Sequence, residues 1–224
     1  TATAGDDGSF SIPGDAGPRA FTAGFDGPDV NVDCYNCGGD ALFSGTIEPG
    51  VAQSVYFDSV AYRPEERDPF HSFHRAKHYV TSIDSTFTAP KYTLNVNMDY
   101  DYCDAYWYQP DRIDCFRAYG GCPSMSRIGD LVTHEFGHGV QYELIGTQGE
   151  QGLGEGNSDV LATFLSDHPQ VCFGFWSNCN QYLRTCDNNL AYPGAVIGQE
   201  VHNAGRVICG FNWDTRRNLI EKMS

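Results

Sequence analysis

The chain has 224 residues, enough for one sizeable core or two closely packed lobes, and its 29 acidic against 14 basic side chains leave a formal net charge of −15. That balance excludes nucleic acid and anionic membrane surfaces as partners, and no apolar run approaches the roughly 18 residues that span a bilayer. Nine cysteines are many for an intracellular enzyme and ordinary for a secreted protein, so an extracellular chain tied by disulfides is expected.

Residues 1–33 alternate short apolar positions with Gly, Pro and Asp. Phe10 and Ile12, then Phe21, Phe25, Val30 and Val32, mark strands, and Asp7-Gly8 is a hairpin-like turn. No signal peptide is visible at Thr1, which reads as a processed or engineered end. From Cys34 to about Arg63, Gly-rich turns flank one apolar strand, Val51 to Phe57. Pro64 and a charged cluster then introduce a helix from Pro69 to about Thr81, with Phe70, Phe73 and Val80 apolar and His71, His74 and His78 on one face. Tyr92 to Met98 alternates as a strand. An aromatic run, Tyr100 to Tyr108, follows, with Asp99, Asp101 and Asp104 as either a candidate Ca²⁺ site or a solvated acidic loop. The first eight cysteines read mainly as loop-stapling disulfides and Cys209 as the unpaired, buried one; Cys34-x-x-Cys37, lacking a matching second pair, is a weak zinc signal.

The chemistry concentrates further on. His134-Glu135-Phe136-Gly137-His138 puts two imidazoles one helical turn apart, where both reach one Zn²⁺ while Glu135 stays free as a base. Leu131, Val132, Phe136 and Val140 pack that helix, and Asp130 is its expected N-cap. Gln141 and Leu144 occupy the positions where a metzincin needs Gly and His, which excludes that class. Gly154 to Asp159 opens a second helical pattern with Glu155 and Asp159 one turn apart, so that one carboxylate binds zinc and the other orients a histidine. Glu143 lies too close on the first helix and Glu150 sits in a Gly-rich loop, leaving Glu155 as third ligand. Pro169 to about Ala191 is a loop-rich excursion, and Glu200-Val201-His202 leads into a last helix ending near Met223.

In this order the three motifs resemble the thermolysin-like gluzincins, most closely the fungalysin type; the resemblance is good from Gly129 onward and loose before it. It implies an α+β, zincin-like two-lobed fold: a β-rich N-terminal segment over 1–33, then a metallopeptidase domain over 34–224, with a β-rich lobe over about 34–128 and a helical lobe over about 129–224. Asp7-Gly8-Ser9-Phe10 and Phe25-Asp26-Gly27-Pro28 are similar to a stretch ahead of the catalytic domain in some fungalysin-type precursors. The resemblance makes the His71/His74/His78 helix a core-packing one. It also implies one zinc on His134, His138 and Glu155, with Glu135 as general base, His202 donating to the oxyanion, and Asp159 fixing an imidazole tautomer. Asp104-Ala105-Tyr106-Trp107 resembles the family's substrate-binding edge strand, although Asp104 stands where relatives have asparagine and so loses an amide donor. A tyrosine oxyanion donor is left open between Tyr142 and Tyr192. Relatives continue beyond the equivalent of Ser224 with more helices, so the second lobe here is either minimal or trimmed. The expected function is a secreted, monomeric zinc endopeptidase acting on peptides or proteins. The alternatives are a narrow processing peptidase and a zinc-stabilised binding protein without turnover; intact Glu135 argues against the latter.

Overall fold

Apolar strand patterns pair into a four-stranded sheet in the computed structural model, which describes residues 2–4, 9–12, 17–58, 62–176 and 181–223. Its order is β2 (Val30–Cys34), β4 (Tyr92–Met98), β6 (Arg112–Phe116) and β5 (Ala105–Tyr108). The first three run parallel and β5 closes the edge antiparallel to β6. Val30, Val32, Tyr92, Leu94, Val96 and Ile113 are almost wholly buried, as parallel strands require.

Helix α1 (Pro64–Ile83) and helix α2 (Gly129–Ile145) pack on this sheet. Rings from three elements make the junction: Phe73 of α1, Tyr92 of β4 and Phe136 of α2 have centroids 4.8–5.5 Å apart. Phe136 adjoins Glu135 in sequence, so the core anchors the motif helix at its functional turn. Helix α3 (Leu153–Ser166) packs on α2, and helix α4 (Val201–Met223) packs on α3. A small sheet pairs β1 (Arg19–Gly24) with β3 (Leu42–Ile47), and a two-residue ladder pairs β7 (Gln170–Val171) with β8 (Arg184–Thr185). The protein is thus a mixed α and β structure, and among the described residues no helix is long and apolar enough to cross a membrane.

Several sequence expectations are corrected. Val51 to Phe57 forms no strand; β3 takes the place beside β1, while Phe57 packs its ring on Phe25 and Tyr62 at 4.6 and 4.7 Å. Phe10 and Ile12 lie outside any strand, and Asp7-Gly8 falls outside the described residues. Helix α1 begins at Pro64, where a missing N–H costs nothing, and runs through Pro69. Cys209 is not free: it bonds to Cys186 because the chain after β8 returns against α4. Cys34–Cys37 and Cys103–Cys122 are also joined, so Cys34 and Cys37 hold each other rather than zinc. Cys115 and Cys172 are buried free thiols, on β6 and just after β7, and Cys179 lies outside the described residues.

Candidate metal centre

His134 and His138 project from α2 toward Glu155 in the first turn of α3. Nε2 of His134 lies 3.2 Å from Oε2 of Glu155, and Nε2 of His138 lies 3.6 Å from its Oε1. An ion bound tetrahedrally at about 2.0–2.2 Å spaces its donors roughly 3.3–3.6 Å apart, so each imidazole nitrogen stands close to the separation from a Glu155 oxygen that a zinc shell needs. One donor atom from each of the three lies within 4.8 Å of the others.

Each imidazole is held from behind by its other nitrogen. His134 Nδ1 is 2.8 Å from Asp159 Oδ1, and His138 Nδ1 is 2.9 Å from Gln148 Oε1. The Gln148 amide is fixed, because its NH₂ donates to the His138 carbonyl oxygen at 2.8 Å, which can only accept. Nδ1–H of His138 therefore donates to Gln148 and its Nε2 lone pair faces the centre. Asp159, on α3 one turn past Glu155, is wholly buried and meets Arg184 of β8, whose Nε and Nη2 donate to its two oxygens at 2.6 and 2.7 Å. Burial opposes a charge on Asp159, yet Arg184 and His134 outweigh it and hold the carboxyl well below its usual range. The same balance, burial against the two histidines above all, takes Glu155 down to about 2.

Glu135 touches neither histidine's donor atom. Burial pushes it up to about 8, against a smaller lowering by His134 and by the backbone N–H of Trp107 on β5. Burial and the charge of His134 lower His138 to about 4. The Trp107 ring stacks over His138 at 6.4 Å.

His202 enters from the first turn of α4, with Nε2 3.3 Å from Glu155 Oε2. Its Nδ1 lies 2.6 Å from Glu200 Oε1, while the other Glu200 oxygen accepts the backbone N–H groups of His202 and Asn203. Glu200 thus caps α4 and aims the ring at once. Close backbone contact brings these helices together: a Cβ on Gly137 would stand 2.8 Å from Ser158 Cα, and one on Gly205 would stand 2.7 Å from Gly156 N and 2.9 Å from Glu155 Cβ.

The structure therefore gathers His134, His138, Glu155, Glu135, Asp159 and His202. Ala105 and Asp104 lie at the sheet-edge strand and its entry; Asp104 Oδ1 accepts the N–H of Ala105 at 2.9 Å, and burial raises its pKa. Asp130 is not the N-cap of α2, a place taken by Ile128; it is the second residue of the helix, and its carboxylate accepts the N–H of Cys172. Tyr142 packs beside Trp107 and bonds Gln109, whereas Tyr192 is largely exposed. His74 packs on Phe70 beside Asp29, and His71, His74 and His78 form no donor cluster. Asp99 and Asp101 each pair with Arg117, at 2.9 and 2.7 Å. Arg184 and Gln148 were missed in the sequence: both sit in loop-rich stretches where no period marks them.

No sequence family matches the chain, and neither does any curated protein. Among solved structures, the precursor of protealysin, a metalloproteinase from Serratia proteamaculans, is similar with a TM-score of 0.43 and 16% identity, over 62% of this chain and 42% of that one. The chain thus spans less than half the length of that protein.

Proposed function

We propose that the protein is a secreted zinc-dependent endopeptidase of the thermolysin-like gluzincin class, closest to the fungalysin type, with a zincin-like two-lobed domain over residues 34–224 preceded by a β-rich segment. The observation that carries this reading is the convergence of His134, His138 and Glu155 with a buried carboxylate, Glu135, left out of the donor set beside them. The donor types fit zinc: two imidazole nitrogens with their far sides anchored, and one carboxylate. When bound, such an ion supplies Lewis acidity and lowers the pKa of water to about 7.

The chain's own groups do the rest. Glu135 takes a proton from the attacking water onto its carboxylate and returns it to the departing amine nitrogen. Its burial makes it a much stronger base than an exposed glutamate, matched to a proton that must be both accepted and released. His202, acting as an imidazolium whose Nδ1–H is held by Glu200, donates from Nε2–H to the carbonyl oxygen as negative charge develops there. Arg184 and Asp159 keep the His134 ring in place throughout. The free side of β5 receives an extended substrate backbone near Asp104 and Ala105 as an added strand. Three disulfides among the described residues accord with an extracellular setting.

The test is hydrolysis of a mixed fluorogenic peptide library by zinc-loaded protein beside Glu135→Gln. The variant should keep one zinc per chain and lose turnover by about 10²–10⁴-fold. Equal turnover by both proteins would dismiss Glu135 as the base, and no turnover by either with zinc bound would dismiss the general peptidase reading.

A further inference from the structure

Two parts of the site that come from neither α2 nor α3, Arg184 and His202, lie on segments that are covalently joined. Arg184 reaches the centre from β8, and two residues later Cys186 is bonded to Cys209 on α4. Cys209 follows His202 by seven residues, two helical turns, so both lie on one face of α4. The half-cystines are only 1% and 0% exposed, their sulfurs lie within 4.8 Å of the Asp159 carboxylate, and Cys209 Sγ is 3.9 Å from Thr163 Oγ1. The bond stands directly behind the carboxylate that Arg184 grips and His134 leans on.

Other ties between these parts are slight. Asn188 donates to the carbonyls of Thr185 and Arg206 at 3.1 Å each, and Arg217 of α4 meets Asp187 at 3.3 Å in an exposed pair, while residues 189–200 run mostly exposed and without helix or strand. Helix α4 meets α3 through Gly205 against Gly152 and Gly156 near His202, and through the Trp213 ring on Phe164 and Arg216 with Asp167 further along. These contacts set α4 on α3 but do not reach Arg184, so the segment that carries Arg184 is tied to α4 chiefly by the disulfide.

We propose that the Cys186–Cys209 disulfide is a positioning element of the metal centre, holding Arg184 in register with Asp159 and His202 in register with Glu155, so that the site is fully assembled only in the oxidised chain. The role given to His202 rests on the peptidase reading above; the role given to Arg184 does not.

The test removes the bond in the full chain by Cys186→Ala with Cys209→Ala, beside a control lacking Cys34–Cys37. Each protein is loaded with cobalt for its visible absorption spectrum and with zinc for peptide hydrolysis. The Cys186/Cys209 variant should unfold cooperatively and take up one cobalt per chain, with a shifted cobalt spectrum and kcat reduced about tenfold or more at little changed KM. The control should match the parent in both readouts. The cobalt spectrum reads the Arg184–Asp159–His134 chain of contacts whether or not the protein cleaves peptides, so an inactive parent would overturn the peptidase reading alone. An unchanged spectrum and kcat in a folded variant would overturn the positioning role. If the double variant does not fold, the single Cys186→Ala and Cys186→Ser variants give the same readouts, and loss of cooperative folding in all of them would overturn the proposal in favour of a purely structural bond.

Discussion

Arg184 meets Asp159 with two hydrogen bonds, at 2.6 and 2.7 Å, deep enough that the carboxylate has no solvent contact. The pair turns an interior carboxylate into a fixed negative acceptor behind His134. Removing the guanidinium leaves that buried charge with His134 as its remaining partner and both guanidinium hydrogen bonds lost. Arg184→Ala is therefore expected to cost about 3–5 kcal/mol in urea unfolding of the metal-free protein. An unaltered unfolding midpoint would show that water or rearrangement replaces the guanidinium.

Gln148 performs for His138 the service that Asp159 performs for His134, without a charge. Gln148→Leu removes the acceptor at Nδ1 and frees the tautomer. Zinc affinity, measured by competition with a chromogenic chelator, should fall about 10–100-fold. Affinity equal to the parent's would mean that helix α2 alone orients the ring.

Metal removal should make stability depend on pH. Without metal, burial opposes a charge on His134, but Asp159 and Glu155 outweigh it and raise the group from 6.5 to about 10. Burial raises Glu135 from 4.5 to about 8. Both groups bind a proton more tightly folded than unfolded. The stability they confer is thus complete at low pH, below about 6.5 for His134 and 4.5 for Glu135, and is lost as pH rises through their folded values. The urea midpoint of the metal-free protein should fall between pH 6.5 and 10. Over the same interval zinc must displace the His134 proton, so affinity should rise with pH and calorimetry in buffers of different ionisation enthalpy should register proton release. A heat independent of buffer would contradict the protonated His134.

Gly139 follows His138 directly, and a Cβ there would lie 1.8 Å from the Tyr92 hydroxyl and 3.1 Å from Trp107 Nε1. Gly139→Ala should lower stability by about 1–3 kcal/mol through overpacking. Adding Tyr92→Phe, which deletes the clashing oxygen, should restore part of it in thermal melts. No recovery would place the strain elsewhere.

What was legible in the chain followed period and motif. Helices α2, α3 and α4 emerged from apolar spacing with the two histidines, Glu155 and His202 already on them, and β4 appeared with its observed ends. Arg184 stayed hidden because β8 is two residues long and owes its position to a ladder with β7 and to a disulfide, both contacts distant in sequence. Gln148 lies in the turn between α2 and α3, where its role depends on the path of the backbone rather than on any local pattern. Val51 to Phe57 has strand composition but no strand beside it, and composition alone cannot provide one. Cys209 has the burial expected of an unpaired thiol, so its bond to Cys186 depended on how loop and helix pack.

The close passages of Gly137 against Ser158 and of Gly205 against Gly156 and Glu155 bear on anyone who would transplant this centre. Ordinary helix pairs sit about 8–10 Å apart, separated by their side chains. Copying only the histidines and carboxylates onto such a scaffold would leave His202 and Glu155 too far apart to share one ligand. The transferable unit is the three-helix backbone with its missing methyl groups, and the side chains are the part a designer could most easily vary.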